Sequence, residues 1–215
     1  QLSLARNQVF SSFKPDSPTK SRTTVITNEI IRLKSRLDLM IEHISSRKME
    51  RLNISLQSIL RIGFYEIIYN ESIPDYASVD SAVNLTKDLL NRKASGLTNA
   101  VLRNLIRKKE SNHNWDKNLK ENFRWHSIPK WLQKRWKNQF GEKGFLELAN
   151  RLNQSPSLFV RVDISQNNVE NIIDELRETG IDVIQYSDIY LKIKSGSGKL
   201  FSTNLFNSGE ISIQD

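Results

Sequence analysis

Apolar residues recur at helical spacing through the first 110 positions of the chain, and the densest stretch lies at residues 54–68. There the apolar side chains occur nearly all round the helix and leave little room for a solvent-facing side. The pattern predicts a helix at the centre of a bundle, with Asn53 as its N-cap. Gly63, inside this helix, costs roughly 1 kcal/mol relative to alanine. We therefore expect a neighbouring helix to cross closely at Gly63.

Further helices are predicted on both sides of this central one. The polar segment 14–24 contains two prolines and no apolar residue, which predicts a loop. The helix after Ile73-Pro74-Asp75 is expected to face inward with Ala82, Val83, Leu85 and Leu89. Ser95 is the expected cap of the next helix, whose inward residues are Leu97, Val101, Leu102 and Leu105. The predicted flanking helices are residues 2–13, 25–44 with a break near Lys34, 78–90 and 95–109.

A second helical region is predicted after a polar stretch at residues 110–122. Pro129 occupies a first-turn position and Gly141 ends the helix, after which residues 142–152 form another. Four large apolar residues of the first of these helices are expected to pack inward as core rather than serve as base-stacking platforms: Trp131, Leu132, Trp136 and Phe140.

The periodicity changes from helical to alternating after residue 157. A strand at 158–163, a helix at 169–176 stopped by Gly180, and strands at 181–184 and 189–193 follow in order. Residues 195–198 are expected to form a turn, and a strand at 210–213 could complete one sheet. The predicted fold class is a mainly α, helical bundle followed by a small α+β module.

The charge balance favours an anionic partner. The chain has 32 Lys and Arg against 24 Asp and Glu, a formal net charge of +8. It contains no cysteine, which excludes disulfides, thiolate metal sites and a cysteine nucleophile within these 215 residues. With no apolar run long enough to span a membrane and no signal-peptide core, a cytoplasmic protein is expected.

Two basic clusters are the candidate contacts to RNA. One gathers toward the end of the helix at 95–109, where a solvated helix end favoured by the helix dipole is the alternative interpretation. The other has lysines at spacings of four and three along one helix face, flanked by an arginine, and its alternative is an ordinary solvated face. The candidate RNA-binding residues are Arg103, Arg107, Lys108, Lys130, Lys134, Arg135 and Lys137.

Several sequence runs resemble one protein family along essentially the whole chain. They are LRIGFYEIIY at 60–69, KASGLTNAVLRNLIR at 93–107, SIPKWLQKRW at 127–136 and LFNSGEISIQD at 205–215. They resemble the NusB-like RNA-binding domain and small RRM-like subdomain of bacterial ribosomal-RNA cytosine-5 methyltransferases of the RsmB (Sun/Fmu) type. The resemblance implies a NusB-like domain at 1–112, a basic helical linker at 113–156 and an RRM-like module at 157–215, ending where the family's catalytic domain begins.

The sequence departs from the family at two places. Lys20-Ser21-Arg22 stands where the family has a longer segment with a helix ending in an Asp-Arg pair. Asp163 replaces the asparagine that usually follows the Arg-Val pair.

The chemistry of this family is expected to be absent from the chain. The family uses a cysteine nucleophile and S-adenosylmethionine bound near a glycine-rich loop. Here there is no cysteine, and the Gly196/Gly198 pair is expected in a hairpin turn. His43, His113 and His126 lack the spacing of a zinc site. We expect no catalytic residue, cofactor or metal in this chain; S-adenosylmethionine would belong to a longer protein.

The resulting hypothesis is a monomeric region that binds small-subunit ribosomal RNA and positions it for methylation, itself inactive. Two alternatives remain. One is a NusB-like transcription antitermination factor, against which the α+β region argues. The other is a non-catalytic helical adaptor, for which the basic excess would be incidental.

Overall fold

The computed structural model describes residues 2–70, 72–165 and 167–214. The chain divides into two compact units, Gln1–Gln154 and Ser155–Asp215. The first is helical and the second contains a four-stranded antiparallel sheet, so the predicted fold class is confirmed. Among the described residues, no helix combines the length and apolarity needed to cross a membrane.

The helices of the first unit follow one another with short connections. α4 (Ile54–Tyr69) lies at the centre, where Leu60 and Phe64 are fully buried. The predicted close crossing at Gly63 is confirmed, because a Cβ there would lie 2.9 Å from Cδ1 of Leu102 on α6 (Arg92–Ser111). The helices are α1 (Leu2–Phe13), α2 (Ser17–Arg32), α3 (Lys34–Ser45), α4 (Ile54–Tyr69), α5 (Asp75–Leu89), α6 (Arg92–Ser111) and α7 (Lys130–Leu152).

The prediction of a loop at residues 14–24 is wrong for most of its length, because α2 begins at Ser17. The Asp16 side chain accepts a hydrogen bond from the backbone N–H of Thr19 and caps the helix. Pro18 lies in the first turn, where its missing N–H is harmless. The first turns of α2 are solvent-exposed and need no apolar residue, which is why periodicity missed them.

Two details of α5 and α6 also differ from expectation. Leu85 and Leu89 are exposed, and Val79 and the Thr86 hydroxyl are buried instead. Thr86 Oγ1 lies 3.0 Å from Thr98 Oγ1, so a hydrogen-bonded pair of hydroxyls joins the two helices where apolar contacts were expected. The N-cap of α6 is Asn91, not Ser95, since the Asn91 side chain accepts from a first-turn backbone N–H.

A network of charges joins α3 to α4. The Asp38 carboxylate is almost fully buried and accepts from the Arg61 guanidinium at 2.6 and 3.1 Å. Lys34 approaches the same carboxylate at 2.9 Å. A separate ion pair joins α2 to α4. It is formed by Glu66 and by Arg22, which lies where the sequence departs from the family pattern, and the two side chains are 3.3 Å apart.

The segment between α6 and α7 packs on the same core as the bundle. Trp115, Leu119 and Trp125 lie against it, partly buried. The Arg36 guanidinium on α3 donates to the backbone oxygen of Trp125 at 2.7 Å and lies 4.6 Å from the centre of its indole ring. This segment therefore fixes the start of α7 against the bundle.

The elements of the second unit are β1 (Leu158–Val162), α8 (Val169–Glu178), β2 (Asp182–Gln185), β3 (Tyr190–Ser195), α9 (Asn204–Asn207) and β4 (Ile211–Gln214). Its strands form one antiparallel sheet in the order β2-β3-β1-β4. Its core joins the inward side chains of the strands to Ile172, Ile173 and Leu176 of α8. All predicted strands are present. The Asp163 carboxylate, which replaces the asparagine usual in the family, accepts a hydrogen bond from the backbone N–H of Ser165, and this bond lowers the pKa of the carboxyl. Asp215 lies outside the described residues.

Candidate nucleic-acid interface

The first half of α7 is oriented by a buried glutamine. Gln133 is 5% exposed, and its side-chain amide donates to the backbone oxygens of Phe123 and Ile128, both at 2.7 Å. These carbonyls belong to the segment that packs on the bundle core, so the amide fixes the rotation of α7 about its axis. The predicted end of this helix at Gly141 is confirmed as a kink, where φ is 72° and ψ is 175°.

With Gln133 inward, three lysines of α7 line one groove. Lys130, Lys134 and Lys137 occur at spacings of four and three, which place them within a narrow sector of the helix. The groove has a volume of about 570 Å³, and its other lining side chains are Phe123, Trp131, Gln133 and Asn138. The structure thus brings together three of the seven predicted residues.

The three ammonium groups differ in how they are engaged. Lys137 forms an ion pair with Glu142 at 2.8 Å, and Lys130 lies 5.5 Å from the centre of the Phe123 ring. Lys134 is exposed and has no ion pair within the described part of the chain. Exposed ion pairs stabilise by about 1 kcal/mol or less, so Lys137 can exchange Glu142 for a phosphate at little cost.

Two large aromatic residues of α7 contradict the sequence prediction, and one of them lies at this groove. Trp131 is 66% exposed, and Phe140 on the same helix is 50% exposed, whereas both were expected in the core. The rotation fixed by Gln133 is the reason, because it leaves only Leu132 and Trp136 of the predicted set half-buried. A polar residue that anchors a helix through its amide gives no signal in apolar periodicity.

Arg135 is exposed on α7 but does not line the groove. It follows Lys134 by one position, a rotation of about 100° around the helix. Arg135 therefore extends the positive charge to the neighbouring sector, beside that of Trp131.

The basic residues near the end of α6 do not form one cluster. Arg103 and Arg107, one turn apart and both exposed, line a shallow surface groove with Glu110. The Arg103 Nε donates to Asn99 Oδ1 at 2.8 Å. Lys109 instead donates to the backbone oxygen of Ile67 at 2.7 Å and lies 3.4 Å from Asp75. The α6 groove is thus less basic than the sequence run suggests.

Lys108 lies apart from Arg103 and Arg107. Its charge acts on His43, whose ring stacks on Trp115 with centroids 6.4 Å apart. Burial is the main reason why the pKa of His43 is lowered, and the Lys108 charge adds to the effect. Lys108 therefore faces the side of α6 that meets α3 and the segment after α6.

His126 is partly buried, with its ring at 5.2 Å from that of Phe145, on the second half of α7, in an edge-to-face contact. Burial lowers the pKa of this imidazole, helped by the charges of Arg36 and Lys137. In the described residues, no group of three or more His, Asp or Glu side chains could hold a metal ion.

Family comparisons match the two units in sequence order. The NusB family model matches residues 2–107, and the RsmF/B-like methyltransferase ferredoxin-like domain matches residues 128–194. The sheet order and the β-α-β-β-α-β element order of the second unit agree with the latter description.

Similar curated proteins include methyltransferases and an antitermination protein. Ribosomal RNA small subunit methyltransferase B of Pasteurella multocida is 27% identical over 99% of this chain and 47% of its own length. The probable enzyme of the same name from Bacillus subtilis is 24% identical over 100% of this chain and 50% of its own length. Transcription antitermination protein NusB of Exiguobacterium is 33% identical over 32% of this chain and 54% of its own length. The chain spans about half the length of the methyltransferases it matches.

A solved structure shows the same fold. The crystal structure of PH0851 matches with a TM-score of 0.56 at 20% identity, over 99% of this chain and 48% of that one. The resemblance drawn from the sequence runs is confirmed: the chain consists of a NusB-family domain at residues 2–107, followed at residues 128–194 by a ferredoxin-like domain of the RsmF/B methyltransferase type.

Proposed function

We propose that this chain is the RNA-binding, substrate-positioning region of a ribosomal RNA small-subunit cytosine-5 methyltransferase. The observation that carries the proposal is the groove of α7, in which Lys130, Lys134 and Lys137 lie beside an exposed Trp131. The names of the relatives that match nearly the whole chain supply the class of RNA.

The lysines of the groove supply the affinity for phosphate. A cation that neutralises a phosphate releases condensed counterions, which gives most of the sequence-independent binding free energy. Lys134 is exposed with no carboxylate at ion-pair distance in the described part of the chain, and Lys137 has only the exposed Glu142. Arg103, Arg107, Lys108 and Arg135 are proposed as further phosphate contacts, with Lys108 the weakest of them because it lies by His43.

The aromatic side chains of the groove favour unpaired bases. Trp131 is largely exposed at a place flanked by ammonium groups, and Phe123 is 49% exposed across the groove. Stacking of a base on an aromatic side chain contributes about 1–3 kcal/mol. A loop, bulge or strand end of ribosomal RNA fits this arrangement better than a continuous duplex, whose bases are stacked on one another.

The methyl transfer itself is proposed to belong to the part of the longer relatives that this chain does not match. The sequence has no cysteine to add to the cytosine ring. We propose that S-adenosylmethionine binds outside these residues, and that residues 1–112, 113–156 and 157–215 act as NusB-like domain, linker and RRM-like module. We further propose a monomer that acts in the cytoplasm.

The ferredoxin-like unit distinguishes this proposal from a stand-alone antitermination factor. The NusB relative aligns with only 32% of the chain, whereas the methyltransferases align with all or nearly all of it. Recovery of a defined protein partner in pull-down, with no binding to ribosomal RNA, would favour the antitermination factor instead.

The proposal is tested by neutralising the groove. The variant K130Q/K134Q/K137Q should bind a ribosomal-RNA hairpin more weakly and with a smaller salt slope than the wild type. Each lost contact to single-stranded phosphate lowers the slope of log K against log salt by about 0.7. The slope should therefore fall by about 2 if all three lysines contact phosphate, and by about 1.4 if Lys137 stays with Glu142.

The matched control removes the same charge elsewhere in the first unit. Lys87, Arg92 and Lys93 are exposed, with no ion pair in the described part of the chain. The variant K87Q/R92Q/K93Q should keep the wild-type slope within experimental error. Equal losses in both triple variants would show that only net charge matters, and an unchanged slope in the groove variant would refute the assignment of this groove.

A further inference from the structure

A second groove of the helical unit, the α2 groove, follows α2 where this helix lies beside α4. It has a volume of about 640 Å³. Its α2 side is formed by residues that recur every three or four positions from Thr19 to Ile31, so one stripe of the helix faces the groove. The apolar side chains of this lining are Ile26, Ile30 and Ile31 of α2 and Ile62 of α4.

The apolar surface continues past the α2 groove onto α5. A smaller hollow of about 200 Å³ shares Arg22 and Ile62 with the groove and is also lined by Ile73 and Leu85. Leu85 is 40% exposed. Contiguous apolar surface of this kind on a soluble protein is typical of an interaction site.

The α2 groove is positively charged. Three cations line it and, among the described residues, no carboxylate does. Lys34 and Arg61 both approach the buried Asp38, and Arg22 reaches Glu66 through one nitrogen of its guanidinium. The side chains of Arg22 and Lys34 are nevertheless 60% and 56% exposed, so both can meet a second carboxylate from outside.

The dimensions of the α2 groove suit one helix. The lining residues of α2 extend from Thr19 to Ile31, which corresponds to about 18 Å along the helix axis. A partner helix of about three turns covers this length. Arg22 lies near one end of the stripe and Lys34 follows the other end, which places positive charge beside both ends of such a helix.

We propose that the α2 groove docks an amphipathic helix of a partner protein, with an apolar stripe against Ile26, Ile30 and Ile62 and with acidic residues beside Arg22 and Lys34. An apolar helix face laid into a hydrophobic groove is a recurring mode of protein recognition. Acidic flanks complement the cations of the groove and also the formal net charge of +8 of the chain.

The chemistry of the α2 groove favours a protein over RNA. No aromatic side chain of the described residues lines it, so it offers no platform on which a base can stack. The α2 groove also shares no lining residue with the α7 groove. The inference therefore goes beyond the proposed function and does not depend on it.

The test titrates the chain with two fluorescein-labelled helical peptides of about 14 residues, followed by fluorescence anisotropy. Both peptides have leucine at i, i+3, i+4 and i+7; one carries glutamates on the flanks of this stripe and the other carries lysines at the same positions. The wild type should bind the glutamate peptide about tenfold more tightly than the lysine peptide, because like charges across an interface repel one another.

Two variants locate the binding in the α2 groove. I31E should weaken binding of the glutamate peptide about tenfold or more, because it places a carboxylate among the apolar lining residues and opposite the acidic flanks. K34Q should narrow the difference in affinity between the two peptides. Asp38 keeps its ion pair with Arg61 in this variant, so the buried carboxylate is not left alone.

The matched control for I31E is L152E. Leu152 is the last residue of α7 and is 48% exposed, and Ile31 is the next-to-last residue of α2 and is 51% exposed. Both variants therefore add a carboxylate at the C-terminal end of a helix. L152E should bind both peptides as the wild type does, and circular dichroism of every variant verifies that the fold is retained.

Three results would overturn the inference directly: equal affinity of the wild type for the two peptides, no binding of either peptide, or wild-type affinity of I31E for the glutamate peptide. A dimer in sedimentation velocity that I31E dissociates and L152E does not would assign the α2 groove to a second copy of this chain instead. Loss of affinity for a ribosomal-RNA hairpin in I31E but not in L152E would assign it to RNA.

The same titrations separate this inference from the proposed function. K130Q/K134Q/K137Q should bind the glutamate peptide as the wild type does, because its substitutions lie outside the α2 groove. I31E should bind the ribosomal-RNA hairpin as L152E does. Failure of either proposal therefore leaves the other intact.

Discussion

The helical bundle should have little room for the methyl group that alanine would add at Gly63. It lies inside α4, where alanine would ordinarily stabilise a helix by roughly 1 kcal/mol relative to glycine. A Cβ on Gly63 would lie 2.9 and 3.0 Å from the two methyl carbons of Leu102. Leu102 is fully buried, so its methyl groups have no solvent into which they can move.

The expected magnitude follows from comparison with a second helical glycine. Gly96 of α6 is exposed, and a Cβ added there would meet no atom within 4 Å, so G96A should stabilise the protein by about 0.5–1 kcal/mol. G63A has the same helical gain but adds the cost of overpacking, about 1–3 kcal/mol. G63A should therefore range from neutral to about 2 kcal/mol destabilising, and the difference from G96A isolates the packing cost.

In a protein that lacks the Leu102 side chain, G63A should stabilise the fold. In L102A the opposing methyl groups are gone, at a cost of about 2–5 kcal/mol by itself. Adding G63A to L102A should then recover about 1 kcal/mol, since helix propensity remains and the clash does not. Urea unfolding followed by far-UV circular dichroism measures all four variants. If G63A changes the free energy of unfolding by the same amount with and without Leu102, the close crossing does not explain the glycine.

Three further predictions concern the groove, the charge network and pH. W131A should weaken binding of an unpaired RNA loop by about 1–3 kcal/mol in a filter-binding titration. W131F should retain most of the wild-type affinity, and F140A on the same helix should leave the affinity unchanged. D38A should destabilise the protein by about 3–5 kcal/mol in thermal or urea unfolding, because it leaves the largely buried Arg61 guanidinium without a carboxylate, with only the Gln57 amide oxygen to accept from it. An effect below about 1 kcal/mol would mean that the pair is not isolated from water. The pKa of His126 lies below its usual 6.5 in the folded protein, so the unfolded chain binds the proton first and stability should fall as the pH drops below about 6.5. H126Q should flatten this part of the pH–stability profile, and an unchanged profile would refute the assignment.

The sequence by itself determined the elements whose apolar residues repeat regularly. The central helix, its Asn53 cap, the break near Lys34 and the strands of the second unit follow from local patterns that need no knowledge of neighbours. It also indicated the close crossing at Gly63, because glycine inside a buried helix has a local cost that only a packing contact offsets. The family resemblance was likewise carried by local runs of residues.

Only the tertiary structure decided which side each helix presents and which charges remain free. Gln133 fixes the rotation of α7 through two backbone carbonyls of the preceding segment, and so exposes Trp131. Lys109 resembles its basic neighbours in sequence, yet it binds a carbonyl of α4 and a carboxylate of α5. Hydrogen bonds and ion pairs between separate elements have no periodic signature, which is the physical reason why neither outcome could be predicted from the chain alone.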